Sequence, residues 1–224
     1  MWFRCRPPRF RNRLDAGQQL GAHLARKLPP AQLKRAVVLG LPRGGVPVAY
    51  EVADWLGLPL DVLVVRKLAL PAQPEFALGA VGESGIKILN TSAMERLGVT
   101  EADLDSVTAA ERAVIAERIA AVRAVRPREP LEDRLAIIVD DGLATGATAR
   151  AACHVARRLG AARVLVAVPV AAPDSLANFW EADDVAALRQ PRDFRAVGEF
   201  YEDFQATSDE EVLTLLREAR TGGG

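Results

Sequence analysis

Ile137-Ile138-Val139-Asp140-Asp141-Gly142-Leu143-Ala144-Thr145-Gly146-Ala147-Thr148 carries an apolar run into two adjacent carboxylates and then into a small, hydroxyl-rich loop. The run from Leu135 to Val139 is short and rich in β-branched residues, the pattern of a parallel strand buried on both faces. Ala147 to Leu159 has the alanine content and apolar spacing of a helix. The carboxylates therefore fall at a strand's carboxyl end, which in an open α/β sheet is the edge where ligands bind. The loop that follows offers an anion backbone N–H groups, two threonine hydroxyls and a helix N-terminus. A plain strand-to-helix turn, with Asp141 opening it and Thr145 as the cap, would use one polar residue and leave the rest of the set unexplained.

Two further clusters share this strand-end arrangement. Ala36 to Leu41 is a second short apolar strand, running into Pro42-Arg43-Gly44-Gly45-Val46-Pro47 before a helical pattern from Val48 to Leu56. Gly44 and Gly45 permit unusual backbone angles and close approach of the chain to a ligand. A third strand, Leu60 to Val65, ends in Arg66-Lys67. Lys67 is a compact point charge suited to a multiply charged phosphate, whereas Arg66 could instead form a structural ion pair. The acidic pair and its loop read as a hydroxyl or metal grip beside a cradle for one phosphate, as in a ribose 5-phosphate; the two further clusters are weak alone, but their order and spacing give three strand ends that offer phosphate-binding chemistry.

The first segment resembles the phosphoribosyl-pyrophosphate (PRPP) signature of the type I phosphoribosyltransferases: four apolar residues, two acids, then a small loop containing Thr-Gly-x-Thr. The resemblance implies an α/β fold with a mostly parallel central sheet flanked by helices and a small hood. It implies that Asp140 and Asp141 hold the ribose hydroxyls, directly or through water on Mg²⁺, with no direct protein ligand to the metal. Ala144, Thr145, Gly146, Ala147 and Thr148 would wrap the 5-phosphate. Arg43, Gly44, Arg66 and Lys67 would bind pyrophosphate, and Asp140, Asp141 and Lys67 would be the catalytic set. The implied activity is that of a Mg²⁺-dependent pentosyltransferase moving the phosphoribosyl group from PRPP to a nitrogenous base. A non-catalytic PRPP or nucleotide sensor on the same fold is the competing reading. Leu-Pro-Arg-Gly-Gly-Val, Val-Arg-Lys and Pro-Glu-Phe-Ala-Leu-Gly-Ala-Val-Gly resemble a bacterial group within the family. Ala144 stands where hypoxanthine–guanine enzymes often carry an acid, which weakens a 6-oxopurine assignment and leaves the acceptor open.

Lys and Arg total 29 and Asp and Glu total 29, so the chain lacks the overall positive field that nucleic-acid binding exploits. Cys5 and Cys153 are far apart, which fits a reducing, cytoplasmic setting, with Cys153 a small core residue. No apolar run is long enough to span a membrane, and the Arg-rich start lacks a signal peptide's apolar segment. Pro7-Pro8 interrupts the amphipathic helix that a transit peptide would need, so Arg4 to Arg13 reads as a solvated lead-in. His23 and His154 lack a second ligand at metal-site spacing.

At 224 residues the chain is expected to form a single domain, with a core over about 31–170. Leucines at helical spacing predict a helix from Arg13 to Leu28 that docks on the sheet. A Gly- and Pro-punctuated stretch over about 69–90 is expected to contain the family's mobile cover, with short strands at Ala77 to Val81 and Ile86 to Leu89. Glu75 and Glu83 are its candidate acid/base residues. Glu101 to Val125 reads as a long amphipathic crossover helix. A strand at Ala162 to Val168, a helix at Pro173 to Trp180, a strand at Val185 to Leu188 and a helix at Asp209 to Arg220 complete the pattern. The hood is expected mainly from 171–224 with an N-terminal contribution, and Phe194 and Tyr201 are its candidates to stack on a planar acceptor. Family analogy implies a homo-oligomer.

Overall fold

The computed structural model describes residues 9–70, 78–177 and 179–219. In chain order the elements are α1 (Arg13–Lys27), α2 (Pro30–Leu33), β1 (Ala36–Gly40), α3 (Gly45–Leu56), β2 (Leu60–Val62), β3 (Val65–Leu68), β4 (Gly79–Gly82) and β5 (Lys87–Leu89). They continue as α4 (Thr91–Leu97), α5 (Glu101–Val125), β6 (Leu135–Val139), α6 (Ala147–Arg158), β7 (Arg163–Val170), α7 (Pro173–Ala177), β8 (Asp184–Arg189) and α8 (Asp209–Glu218). Short 3₁₀ turns occupy Glu83–Gly85 and Val197–Phe200.

Five parallel strands form the central sheet in the order β2-β1-β6-β7-β8. β1 and β6 are buried along their whole length, which is why both read as unbroken apolar runs. Alternate residues feed two cores. Val38, Ile137, Val139 and Leu165 face α1, α3, α5 and α8; Val37, Leu39, Ile138 and Val166 face α6. From β1 the chain crosses over α3 to β2, and from β6 it crosses over α6 to β7 on the other side. The strand order thus reverses between β1 and β6, where Val38 pairs with Ile137 and Gly40 with Val139. At such a switch point the loops after the two strands diverge and leave a crevice at their carboxyl ends.

Helix boundaries follow local chemistry. Asn12 caps α1 by accepting from Asp15 N, and Ser208 caps α8 by accepting from Glu211 N. Thr100 and Asp103 form a reciprocal capping box at the start of α5, which spans the residues its periodicity predicts. α3 starts three residues earlier than its apolar pattern predicts, with Gly45 N donating to Leu41 O at 3.0 Å. Pro47 falls in the first turn of α3, where a missing N–H breaks no helical bond. Of the helix predicted over Pro173 to Trp180, Pro173–Ala177 is helical and Phe179 and Trp180 are not, and the one predicted to Arg220 ends at Glu218. None of the helices among the described residues is long and apolar enough to cross a membrane.

The predicted strand from Leu60 to Val65 is two strands in two sheets. Leu63 N donates to Gly40 O at 3.1 Å, the last bond to the central sheet, and Val64 N turns to Glu83 Oε1 at 3.2 Å. β3 then pairs antiparallel with β4, and β4 with β5, in a separate three-stranded sheet. Arg66 and Lys67 therefore lie inside β3 rather than beyond a strand end. Of the predicted cover, β4 and β5 are these paired strands, while Glu75 lies outside the described residues.

Glu83 is no acid/base candidate. Its carboxylate is buried against Arg123 Nη2 at 3.2 Å and against Arg128. Arg123 also reaches Asp61 Oδ1 at 2.7 Å, and Asp61 accepts from Val62 N and Glu129 N. Two buried carboxylates from β2 and the turn after β4 thus share one arginine from α5, tying the second sheet to the first. Burial pushes the Asp61 carboxyl up, and Arg123 opposes that rise. Arg123→Ala would leave both carboxylates without this partner. The expected loss is about 3 kcal/mol of unfolding free energy, the lower end for breaking a buried pair, read from urea denaturation midpoints at constant slope.

Candidate active site

Asp140 and Asp141 follow β6 at the switch point. Asp141 N donates to Asp140 Oδ1 at 2.9 Å, which turns the first carboxylate inward beneath its neighbour's backbone. Burial pushes the Asp140 carboxyl well above the usual carboxylate range, and the Asp141 charge adds to the rise. Burial raises Asp141 as well, but Arg13 pulls it back.

Arg13 is the residue that sequence reading missed. Its Nε and Nη2 lie 2.9 and 2.8 Å from Asp141 Oδ2, and its Nη1 donates to Gln205 O at 2.6 Å. The guanidinium stacks 3.9 Å from the centre of the Phe204 ring. Only 12% of its side-chain surface is exposed, so this member of the Arg-rich start is no solvated lead-in. Nothing in the local sequence separates it from Arg11, which is exposed and pairs with Asp15. The difference is position: Arg13 opens α1, and the chain before α1 is pinned beside the site by Phe10 N to Phe200 O and Glu202 N to Phe10 O, both 2.8 Å.

The Pro42-Arg43-Gly44-Gly45 loop passes directly over the acidic pair, and the Pro42–Arg43 peptide is cis. A Cβ on Gly44 would fall 2.2 Å from Asp141 Oδ2, and one on Gly45 would fall 2.6 Å from Val139 O. The glycines are needed here for close approach, not for a left-handed turn, since Gly44 has φ −62°. Beyond Asp141, the 144–148 loop is formed by Gly146 in the left-handed region at φ 76°. Ser175 holds it by donating to Ala144 O. Gly146 supplies no side-chain cap to α6. The first N–H groups of that helix are thus turned toward the loop with Thr145 and Thr148 exposed beside them.

One cleft of about 400 Å³ is lined by Pro42, Arg66, Lys67 and Thr148, together with Val107, Glu111 and Arg118 of α5. Residues from the β1 loop, β3 and the start of α6 therefore meet on one surface. Arg66 Nε is 2.7 Å from Glu111 Oε2, the structural ion pair that the sequence left open for it.

Of the two aromatic acceptor candidates, Tyr201 is part of the wall. Its ring is 2% exposed, packed by Phe10 and Phe204 at centroid distances of 5.4 and 5.0 Å, and its hydroxyl donates to Asp141 O at 2.7 Å. A base could stack on it only by displacing those rings, so its role is to hold the acidic turn. Phe194 is half-buried and stacks on Phe200 at 5.7 Å. Cys153 is buried in α6, with its thiol pushed up to about 12 by burial, as a core residue should be.

The parallel sheet, the switch-point crevice and the acidic pair beside an anion-ready loop define an α/β protein of the phosphoribosyltransferase fold class. Residues 12–204 match the phosphoribosyl transferase domain, and the chain belongs to that family. A Mycobacterium tuberculosis H37Rv protein named "putative phosphoribosyl transferase" is 49% identical over 211 residues, covering 94% of this chain. The match is 47% of that protein, so the chain spans about half the length of the curated relatives it matches. The crystal structure of TT1426 from Thermus thermophilus is 45% identical and covers 96% of this chain and 100% of its own, with a TM-score of 0.85. A hypothetical protein from Neisseria gonorrhoeae shares the fold at a TM-score of 0.50 and 12% identity, over 94% of this chain and 98% of that one.

Two outcomes follow from the geometry. Because the Asp140 carboxyl is raised in the folded state, its protonated form stabilises the fold, and that contribution is lost as pH rises from the unfolded value near ~3.9 through the raised folded one. Asp140→Asn should therefore raise Tm at pH 7 by a few degrees, the scale on which about 1 kcal/mol acts in a domain of this size, with the gain fading toward pH 3. Thermal melts across that range read it directly. Gly44→Ala, whose new methyl meets a carboxylate held by Arg13, should lower stability by about 1–3 kcal/mol, and the same change made in an Asp141→Ala background should cost less than it does in the native chain.

Proposed function

We propose that this chain transfers the 5-phosphoribosyl group of PRPP to a nitrogen of a planar base and releases pyrophosphate. The observation that carries this reading is one cleft in which Pro42, Lys67 and Thr148 meet, Pro42 leading into the glycine loop that lies against Asp140 and Asp141. These groups are far apart in sequence and match the two phosphate-bearing ends of one donor. In this reading the 144–148 loop and the start of α6 grip the 5-phosphate through N–H groups and the Thr145 and Thr148 hydroxyls. Asp140 and Asp141 accept from the ribose hydroxyls, and their charge stabilises the cation that develops at the anomeric carbon. Arg43, the Gly44 backbone and Lys67 neutralise the leaving pyrophosphate, while Arg66, paired with Glu111, lines the same cleft. The base nitrogen forms the new bond to the anomeric carbon as the carbon–oxygen bond to pyrophosphate breaks; the pyrophosphate departs with the electron pair, and the proton of the attacking nitrogen passes to solvent. No side-chain nucleophile is required, so positioning carries much of the rate.

Mg²⁺ fits this donor set. Two carboxylates at one strand end are hard oxygen groups of the kind that suit Mg²⁺ and the water bound to it. The cation would be held by phosphate oxygens and water beside Asp140 and Asp141, and would supply further neutralisation of the diphosphate. Phe194, on its stacked partner Phe200, is the proposed acceptor contact, and Tyr201 acts through Asp141.

Pyrophosphate release from PRPP and Mg²⁺, assayed over a panel of bases, tests the reading. Turnover is expected with at least one base, with a loss of about 10²-fold or more in Asp140→Asn/Asp141→Asn. PRPP binding with no turnover on any base would favour the sensor reading. A protein that neither binds PRPP nor differs from the double variant would remove the donor assignment.

A further inference from the structure

Arg118 lies on α5, two turns from Glu111, and lines the same cleft as Arg66, Lys67 and Thr148. It also lines a neighbouring hollow of about 290 Å³, together with Pro42, Glu117, Asp209 and Val212. Pro42, the residue before Arg43, is common to both hollows. Asp209, the first residue of α8, stands between two arginines. Its Oδ2 is 3.7 Å from Arg43 Nη1, and its Oδ1 is 3.7 Å from Arg118 Nη2. One carboxylate thus bridges the β1 loop and α5, one oxygen to each cation.

These contacts are long, and the Asp209 side chain is 62% exposed. Ion pairs of that kind contribute little, because solvent screens them and the side chains lose freedom in forming them. At 3.7 Å they are longer than the 2.7 Å Arg66–Glu111 contact, and unlike the Arg123 pairs they involve no buried carboxylate. A diphosphate brings several charges and more acceptor oxygens than a carboxylate, and arginine forks bind it through paired charge-assisted hydrogen bonds. Exchange of Asp209 for a diphosphate therefore breaks little and gains much.

We propose that Arg118 is a further pyrophosphate-binding residue supplied by α5, and that Asp209 is the resting counter-ion of Arg43 and Arg118 which the diphosphate displaces. The proposal rests on the phosphoribosyl-transfer reading and assigns a cation to the leaving group from a helix outside the loops already described. Glu117 also borders the hollow, and Glu111 is paired with Arg66.

Isothermal titration with inorganic pyrophosphate and with ribose 5-phosphate, each with Mg²⁺ in the cell, tests it. Arg118→Ala should weaken pyrophosphate binding about tenfold, equivalent to about 1.4 kcal/mol, with ribose 5-phosphate binding unchanged. Arg118→Lys should recover part of the loss, and thermal melts of each variant report its folding. Asp209→Asn, which removes the competing anion, should tighten pyrophosphate binding two- to threefold on the same scale. Opposite signs for the two positions are the signature of a displaced counter-ion, since a purely structural pair would move both variants in one direction. Equal shifts, an unchanged Asp209→Asn, or an unchanged Arg118→Ala in a protein that binds both ligands would overturn the proposal and leave the donor reading intact. Binding of ribose 5-phosphate without pyrophosphate would also overturn it. Wild-type protein that binds neither ligand would overturn both readings.

Discussion

Two adjacent carboxylates at the end of a fully buried strand are costly to keep charged, and the surrounding structure is arranged around that cost. Burial raises both, and the Asp141 charge adds to the rise at Asp140. Arg13 offsets the charge of Asp141 from one side, while the backbone N–H of Asp141 satisfies Asp140 from another. Tyr201 fixes the turn itself through the Asp141 carbonyl. The β1 loop can then lie against the pair only because Gly44 and Gly45 have no side chains to collide with it. A ligand that brings hydroxyl donors to these carboxylates would relieve the same cost, so the instability is concentrated where binding is proposed to occur.

The topology explains why these parts meet. β1 and β6 are neighbours at the point where strand order reverses, so the loops after them open the crevice from opposite sides. The second sheet brings Lys67 to the same cleft by leaving the central sheet after β2 and running as β3 alongside it. That departure is anchored by a buried network, Asp61 and Glu83 on Arg123, which is structural in purpose although it contains one of the sequence's acid/base candidates. Charge in this protein therefore serves two ends. Where buried carboxylates share one arginine they join elements, and where they line the switch point they remain partly open to solvent.

The cations around the cleft divide in a similar way. Arg66 is held by Glu111 at short range, whereas Arg43 and Arg118 share an exposed carboxylate at long range. Firm pairs fix geometry, and loose pairs can be exchanged for a ligand. The same amino acid, at two positions on one cleft and a third in the β1 loop next to Pro42, is thus prepared for different work by the distance and exposure of its partner.

The sequence by itself determined the parallel α/β fold, because strands buried on both faces must be short and continuously apolar, as Leu135–Val139 and Ala36–Gly40 are. It also determined the acidic turn, the 144–148 loop and the glycine pair, since each is a local run whose chemistry is complete within a few residues. Long-range partnership was not legible. That Arg13 rather than Arg11 reaches Asp141, 128 positions away, depends on how the start of α1 is pinned beside the 200–205 segment. That Leu60 to Val65 divides between two sheets depends on Glu83 taking the Val64 N–H, and that Tyr201 is enclosed depends on Phe10 arriving from the other end of the chain. Periodicity records which faces are buried, but the identity of the atom on the other side of a charge or a ring is set by the packing of distant segments, and only the tertiary structure decided it.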